Sequence, residues 1–101
     1  MAEAKFDDLI HSPLRLRICG LLNAAESVAF SVVRDTVGVT DAHLSKQVKV
    51  LTDAGYVNVM KAGSLDREDA RRVAWLSLTS KGRKAFGAHV LALRQILPEV
   101  D

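Results

Sequence analysis

Residues 38–57 read GVTDAHLSKQVKVLTDAGYV, and this stretch decides the fold. Thr40 is a favourable N-cap residue, and Asp41 places a negative charge at the positive end of the helix that follows. Apolar residues then recur at helical spacing and predict one inward-facing stripe: Leu44, Val48 and Leu51. Gly55 ends the pattern, because glycine readily adopts the left-handed conformation that closes many helices. The stretch therefore predicts a helix that begins after Thr40 and ends before Gly55.

The residues before this stretch predict a second, shorter helix. Residues 31–37 span two helical turns, with Phe30 and Val33 facing inward, and Gly38 is suited to stop them. Gly38 and Gly55 therefore punctuate two helices joined by a turn of about three residues, which is typical of a helix-turn-helix. This unit occupies about residues 31–54.

Beyond Gly55 the hydrophobic period changes from that of a helix to that of a strand. Residues 56–60 and 73–78 are rich in β-favouring side chains, and the charged segment between them predicts a hairpin with a long loop. We place this hairpin at about residues 56–78. Thr79 then caps a final helix over about residues 80–97.

The N-terminal part supplies the remaining elements. Ser12-Pro13 predicts the start of a helix that ends near Ala24, and residues 27–29 suit a short strand added to a small sheet. Phe6–His11 carries apolar residues at helical spacing and predicts a short helix. The fold class is thus α+β, mostly α: a three-helix core, a β-hairpin, and helices at both termini, in one domain over residues 1–101.

Composition narrows the class of protein. Hydrophobic residues make up 49% of the chain and charged residues 26%, which is ordinary for a globular domain. No apolar run is long enough to span a membrane and the first residues are polar, so we expect a cytoplasmic protein. A single cysteine, Cys19, excludes an internal disulfide and a multi-cysteine metal site. The histidines, His11, His43 and His89, have no partner at ligand spacing, so we expect no metal, no cofactor and no catalytic site.

Three segments together resemble a known family. They are FDDLIHSPLR at residues 6–15, LSKQVKVLTDAGYV at residues 44–57 and LTSKGR at residues 78–83. In this order they are similar to compact, single-domain winged-helix regulators of the MarR/ArsR type. The resemblance implies a homodimer that binds double-stranded operator DNA and most often represses transcription. The paired cysteines of metal-sensing ArsR relatives are absent.

The predicted second helix of the helix-turn-helix carries the candidate reading face. If its apolar stripe faces the core, the opposite side exposes a set of small, polar and basic residues. With the N-cap residue, the candidate DNA-binding set on this helix is Thr40, Ala42, His43, Ser45, Lys46 and Lys49. A helix fits the major groove and reads bases mainly from its N-terminal turns, so His43, Ser45 and Lys46 are expected at base edges and Lys49 at phosphate. The alternative is that both lysines only keep a surface helix solvated.

Charge along the chain favours contact with nucleic acid but does not decide it. Residues 40–84 hold nine Lys/Arg against five Asp/Glu, whereas the whole chain has a net charge of only +2. By family resemblance, the hairpin loop is expected to reach the minor groove or phosphates through Arg67, Arg71 and Arg72. Acidic residues alternate with these arginines, so a solvated loop with internal ion pairs is the alternative.

The final helix is apolar on more than one side, which a domain of this size cannot bury alone. The excess predicts a helical dimer seam made of Phe6, Leu9, Ile10, His89, Ala92 and Ile96. The alternative is that one stripe lies under the N-terminal helix of the same chain. A two-fold dimer implies an inverted-repeat operator. The competing function is a winged-helix protein–protein module, and the sequence identifies no small-molecule effector.

Overall fold

A computed structural model describes residues 3–63 and 72–97. The helices are α1 (Pro13–Asn23), α2 (Phe30–Val37), α3 (Asp41–Asp53) and α4 (Ser80–Ile96). The strands are β1 (Val28–Ala29), β2 (Val57–Gly63) and β3 (Arg72–Leu78). They form one antiparallel sheet in the order β1-β3-β2. Leu76 of the central strand β3 lies between its two partners, Val28 of β1 and Val59 of β2. The predicted winged-helix fold is confirmed.

The helix boundaries follow from local chemistry. The Thr40 hydroxyl accepts a hydrogen bond from the backbone N–H of His43 at 3.1 Å, which satisfies one of the unpaired donors at the start of α3. Gly38 closes α2 with a φ of 74°, a conformation that costs little without a Cβ atom. The predicted bounds of α1 to α4 therefore agree with the structure to within a residue or two.

The core lies between the three N-terminal helices and one face of the sheet. Its fully buried side chains come from every layer: Ile18, Cys19, Leu22, Val33, Leu44, Leu51 and Leu76. The predicted inward stripe of α3 is confirmed, since Leu44, Val48 and Leu51 are all buried. Burial also raises the pKa of the Cys19 thiol to about 11, so the thiol stays protonated and packs as a small apolar group.

The predicted N-terminal helix over Phe6–His11 is wrong. Residues 3–7 run without regular structure, and residues 8–10 form a single turn. The carboxylate of Asp7 accepts the N–H of Ile10 at 3.0 Å, while the Asp7 carbonyl accepts the N–H of His11 at 2.9 Å. Such side-chain bonds compete with helix formation, and the residue before a proline, here Ser12, is disfavoured in helical geometry. The segment therefore turns once and feeds directly into α1.

The start of α4 is clamped to the backbone that follows α3. The Thr79 N–H donates to the Tyr56 carbonyl at 2.9 Å, and its hydroxyl donates to the Gly55 carbonyl at 2.6 Å while accepting the N–H of Gly82 at 2.9 Å. Gly82 is buried directly against Tyr56. A Cβ atom at position 82 would lie 2.9 Å from the carbonyl carbon of Tyr56 and closer still to its oxygen. Only glycine fits this contact.

No helix among the described residues is both long enough and apolar enough to cross a lipid bilayer.

Two glycine substitutions in α4 test the close contact. Gly82→Ala forces two backbone segments apart, so we expect a loss of about 2–3 kcal/mol in the free energy of unfolding. Gly87→Ala is the matched control, because a Cβ atom there meets nothing within 4 Å. Alanine favours a helix interior over glycine, so the control should gain about 0.5–1 kcal/mol. Urea unfolding followed by circular dichroism measures both; equal effects would contradict the assigned role of Gly82.

Candidate nucleic-acid interface

The exposed face of α3 carries the candidate reading residues as the sequence predicts. Ala42, His43, Ser45, Lys46 and Lys49 are all exposed, on the side of the helix opposite its buried stripe. Thr40, the N-cap residue, is also exposed although its hydroxyl oxygen is engaged by the His43 N–H. The first two turns of α3 therefore present small and polar side chains to solvent, with no bulky group that would hold a DNA duplex away.

The lysines of α3 differ in their surroundings. Lys49 Nζ lies 3.1 Å from a carboxylate oxygen of Asp53, one turn further on, in an exposed ion pair. Lys46 forms no ion pair within residues 3–63 and 72–97. An exposed pair of this kind contributes little and exchanges readily for another anion. Among the described residues, Lys46 is thus without an ion-pair partner, whereas Lys49 is paired with Asp53 of the same helix.

Arg34 fixes the turn between the two helices of the helix-turn-helix. Its guanidinium donates to Asp35 at 2.9 Å and to Asp41, the first residue of α3, at 2.8 Å. The bond from Arg34 holds the pKa of the Asp35 carboxyl below its usual range. Because Asp41 also faces the positive end of α3, the contact joins the α2–α3 turn to the start of α3.

The hairpin is described only in part. Arg67 and Arg71 lie outside the described residues, and Arg72 begins β3 opposite Gly63. The described part of the hairpin adds a basic residue that sequence reasoning missed: Lys61 on β2, opposite Ala74 of β3. The alternation of side chains along a strand could have predicted its position, because Val57, Val59 and Lys61 lie on the same side of β2.

The N-terminal segment and α4 form a histidine cluster. His89 is fully buried, and its Nδ1 accepts the backbone N–H of Asp7 at 3.0 Å. Its Nε2 lies 3.2 Å from Nδ1 of His11, and the Phe6 ring lies 4.7–4.8 Å from both imidazoles, measured between ring centroids. Since Nδ1 of His89 accepts a bond, neutral His89 carries its proton on Nε2 and donates it to His11.

This packing corrects half of the predicted dimer seam. Ile10, His89 and Ala92 are buried within the single chain, at 8% exposure or less, so they offer no free apolar surface. The reason is that the N-terminal segment lies along α4, with the Lys5 N–H bonded to the Ala88 carbonyl at 3.0 Å. The alternative, burial of one stripe beneath the same chain, is nearer to the structure, although an irregular segment rather than a helix lies against α4. Phe6 and Ile96 remain exposed and Leu9 half-buried.

Asp7 connects this cluster to the end of the helix-turn-helix. Its carboxylate accepts the Tyr56 hydroxyl at 2.5 Å, just after the turn that follows α3. Burial alone would raise the pKa of Asp7, but the bonds from Tyr56 and Ile10 outweigh it and lower the pKa below its ordinary value. The same bond raises the pKa of Tyr56 to about 12. Asp7 therefore stays ionised, and it holds the N-terminal segment against α4 through His89 and against Tyr56, the residue before β2.

Arg15 makes a second connection, to α3. Its Nε donates to the Leu9 carbonyl at 2.7 Å, and its Nη1 donates to the side-chain oxygen of Gln47 on α3 at 2.8 Å. Spacing along the chain does not reveal this contact, since Arg15 and Gln47 are brought together only by the packing of α1 on α3. The N-terminal turn, α1 and α3 are thus joined by one guanidinium.

A shallow cavity of about 520 Å³ lies between the N-terminal segment and the start of α4, beside Tyr56. Lys5, Lys81 and Lys84 line it together with Glu3 and Asp7. Within the described residues, no group of three or more His, Cys, Asp or Glu side chains is placed to hold a metal ion.

Three helices, a hairpin packed on them and an exposed second helix of the helix-turn-helix define a winged-helix domain. A family model described as a winged helix DNA-binding domain matches residues 14–97, and the chain belongs to this family. An uncharacterised protein of Methanocaldococcus jannaschii, MJ0432, is 25% identical over 93 residues, which cover 92% of this chain and 97% of that relative.

Solved structures share the fold. The transcriptional regulator homologue from Pyrococcus horikoshii OT3 superposes with a TM-score of 0.78 at 22% identity, covering 87% of this chain and 83% of that one. The PcaV transcriptional regulator of Streptomyces coelicolor, solved with its natural ligand, gives a TM-score of 0.71 at 20% identity, covering 90% of this chain and 60% of PcaV. The predicted resemblance to a compact winged-helix DNA-binding domain is therefore confirmed.

The histidine cluster predicts a pH-dependent stability. Burial and the nearby His11 lower the pKa of His89, against the opposing charges of Asp7 and Asp8. The unfolded chain then binds more protons than the folded chain once the pH falls through the ordinary histidine value of 6.5. We expect the free energy of unfolding to decrease between about pH 7 and about pH 5, by at most about 1.4 kcal/mol per pH unit for this group.

The measurement is urea unfolding across this pH range. His89→Gln removes the titrating group and should flatten the pH profile, whatever its effect on absolute stability. His43→Gln, at an exposed position on α3, is the control and should leave the profile unchanged. A pH profile that keeps its slope in His89→Gln would show that another group is responsible for the pH dependence.

Proposed function

We propose that the chain is a sequence-specific, double-stranded DNA-binding regulator that acts as a homodimer on an inverted-repeat operator, most often as a repressor. The observation that carries the proposal is the exposed N-terminal half of α3, where Ala42 and Ser45 leave room for close approach beside His43 and Lys46. A helix of this kind enters the major groove, where the base edges distinguish all four base pairs. Membership of a DNA-binding family also supports the proposal.

Each candidate residue has a role in this proposal. Ser45 and Lys46 contact base edges, and His43 joins them from the first turn of α3. Thr40 and Lys49 contact phosphates at the two ends of the same face, with Lys49 exchanging its Asp53 partner for the DNA backbone. Arg67, Arg71 and Arg72 of the wing supply minor-groove or phosphate contacts in the same proposal.

A double substitution on α3 tests the reading face. Lys46→Ala/Lys49→Ala should weaken binding to the DNA upstream of its own gene about tenfold or more, since removing a base-reading side chain alone costs about 1–3 kcal/mol. It should also lower the slope of log affinity against log salt by about 0.9 for each phosphate that the variant no longer neutralises. Fluorescence anisotropy at several salt concentrations, with an unrelated duplex as competitor, measures both quantities.

The matched control removes the same charge elsewhere. Lys5→Ala/Lys84→Ala takes two lysines from the cavity beside Tyr56 and should retain preference for the upstream DNA. Equal reductions in affinity in both double variants would mean that net charge alone governs binding. Weak binding of the wild type to every duplex would favour the alternative function, a winged-helix module that docks on a protein; charge reversal at Lys46 and Lys49 would then leave that docking intact.

The proposed dimer uses only the seam residues that are not fully buried in the single chain. We place its seam on the C-terminal half of α4 with Phe6 and Leu9, because Ile96 and Leu97 are 61% and 63% exposed in the single chain. These large apolar side chains stand at the C-terminal end of α4, where Ile96 follows the buried Ala88 and Ala92 at helical spacing on the same face. A second copy of α4, related by a two-fold axis, would bury them.

Ile96→Glu tests this seam. Burying such a side chain contributes about 1.5–3 kcal/mol, so its replacement by a charge should weaken self-association about tenfold or more. Val32→Glu is the control, since Val32 is an apolar residue of α2 with 53% exposure. Sedimentation equilibrium distinguishes the two. If both variants associate as the wild type does, the seam lies elsewhere; if the wild type is monomeric, the dimer proposal fails.

The proposed regulator also has a candidate site for a small-molecule effector. PcaV was solved with its natural ligand, and NadR with 4-hydroxyphenylacetate; the chain covers 60% and 59% of those proteins. By analogy, we propose that a small anionic molecule would bind in the lysine-lined cavity between the N-terminal segment and α4. A shift of unfolding temperature with such a compound, absent in Lys5→Ala/Lys84→Ala, would support this site; an equal shift in both would place binding elsewhere.

A further inference from the structure

Two imidazole rings hold the N-terminal segment on α4. The backbone N–H of Asp7 donates to Nδ1 of His89 at 3.0 Å, and Nε2 of His89 lies 3.2 Å from Nδ1 of His11. A third polar contact joins the Lys5 N–H to the Ala88 carbonyl at 3.0 Å. Two of these three bonds therefore depend on the imidazoles. We call the chain of contacts Asp7–His89–His11 the histidine latch.

The directions of these bonds fix where each ring carries its proton. Because Nδ1 of His89 accepts a backbone N–H, the neutral ring is protonated on Nε2. That proton points at Nδ1 of His11, which accepts it, so neutral His11 is also protonated on Nε2. The closed latch thus needs a free lone pair on Nδ1 of each ring.

Acid converts both of these acceptors into donors. A proton added to His89 lies on Nδ1 and faces the Asp7 N–H, and a proton added to His11 lies on its Nδ1 and faces the His89 N–H. Either event replaces a hydrogen bond by two opposed donors. Because His89 is fully buried, its charged ring cannot reach solvent while the segment stays in place.

The charged groups around the latch do not offer the protonated ring a free partner in place. Burial and the charge of His11 lower the pKa of His89, and Asp7 and Asp8 act in the opposite direction. The Asp7 carboxylate already accepts the Tyr56 hydroxyl and the Ile10 N–H. The other titratable groups nearby are Arg15, bonded to Leu9 and Gln47, the buried Cys19, and the residues Glu3, Lys5, Lys81 and Lys84 that line the neighbouring cavity with Asp7.

We propose that the histidine latch is a proton-operated switch that releases residues 3–8 from α4 in mildly acidic solution while the rest of the domain stays folded. Ile10, fully buried, remains in the core and anchors the released stretch. Lys5, Phe6 and Asp8 are exposed even when the latch is closed, so the release uncovers little of the core. Opening therefore costs less free energy than unfolding.

Release dismantles the cavity beside Tyr56. Glu3, Lys5 and Asp7 form the wall of this cavity on the side of the segment, and α4 forms the opposite wall. The same movement withdraws the carboxylate that accepts the Tyr56 hydroxyl, just after α3. The proton concentration thereby sets whether the cavity is closed, and the switch acts in the single chain whether or not the chain binds DNA.

NMR spectroscopy of the ¹⁵N-labelled chain at about pH 7.5 and about pH 5 tests the switch. Imidazole spectra should show both rings protonated on Nε2 at the higher pH. At the lower pH the heteronuclear NOE of residues 3–8 should fall, and the amides of Lys5 and Asp7 should lose protection from hydrogen exchange, after correction for its intrinsic pH dependence. The amides of Leu44 and Val48 in α3 should keep their protection, because the core stays folded.

Asparagine variants separate the switch from a general effect of acid. His89→Asn places a carbonyl oxygen near the former Nδ1; this oxygen accepts the Asp7 N–H and does not titrate, so residues 3–8 should stay bound at about pH 5. His11→Asn, at an exposed position, removes one of the two protonation sites and should move the release to lower pH. His43→Asn, exposed on α3, is the matched control and should release the segment at the wild-type pH.

Three outcomes would overturn the proposal. The first is an unchanged heteronuclear NOE of residues 3–8 in the wild type at both pH values. The second is loss of protection at Asp7 alone with Lys5 still protected, since the His89 ring would then turn without releasing the segment. The third is release of the segment at the same pH in His11→Asn and His43→Asn. If circular dichroism shows that His89→Asn does not fold, the wild type and these two exposed-site variants still decide.

Discussion

The close contact between the backbone of Tyr56 and the α-carbon of Gly82 fixes how the two halves of the chain pack. It brings the chain that leaves α3 against the first turn of α4, and the Thr79 side chain bonds to both segments. Because the two segments touch through backbone atoms, neither can slide without breaking several hydrogen bonds. The candidate reading face of α3 and the exposed end of α4 are thus held at a fixed relation within one chain. In a two-fold dimer joined through α4, the same contact would set the separation of the two reading helices, and hence the spacing of the operator half-sites.

Most of the fold could be predicted from the sequence because its boundaries are encoded locally. Thr40, Thr79 and Gly38 act within one turn of their own helix, so their effect can be derived without knowing the fold. The N-terminal segment was wrongly predicted for a related reason. Its apolar spacing predicts a helix, but Asp7 captures the Ile10 N–H, and its other bonds reach Tyr56 and His89, 49 and 82 residues away. A hydrophobic period cannot represent partners at that distance.

In the candidate site, too, the features that depend on local sequence could be predicted and those that depend on tertiary contacts could not. Exposure of the α3 residues follows from the buried stripe and agrees with the structure, whereas the predicted seam residues His89 and Ala92 are buried within the single chain and offer no free apolar surface. The bond from Arg15 to Gln47 and the position of Lys61 both depend on tertiary packing or strand register. The sequence thus predicts the face that points outward. It does not predict how the N-terminal segment connects that face to α4, because those connections join residues remote in the chain.

The buried thiol of Cys19 has a practical consequence for the study of this molecule. With its pKa raised to about 11 and no exposure to solvent, it carries almost no nucleophilic thiolate near neutral pH. A cysteine introduced on the surface would therefore react alone with a maleimide dye or a nitroxide spin label, without prior removal of the native residue. Labels on α3 and α4 could then report distances between two copies, in solution and on DNA, in an otherwise unaltered chain. Under partly denaturing conditions, the rate at which Cys19 is alkylated would measure how often the core opens.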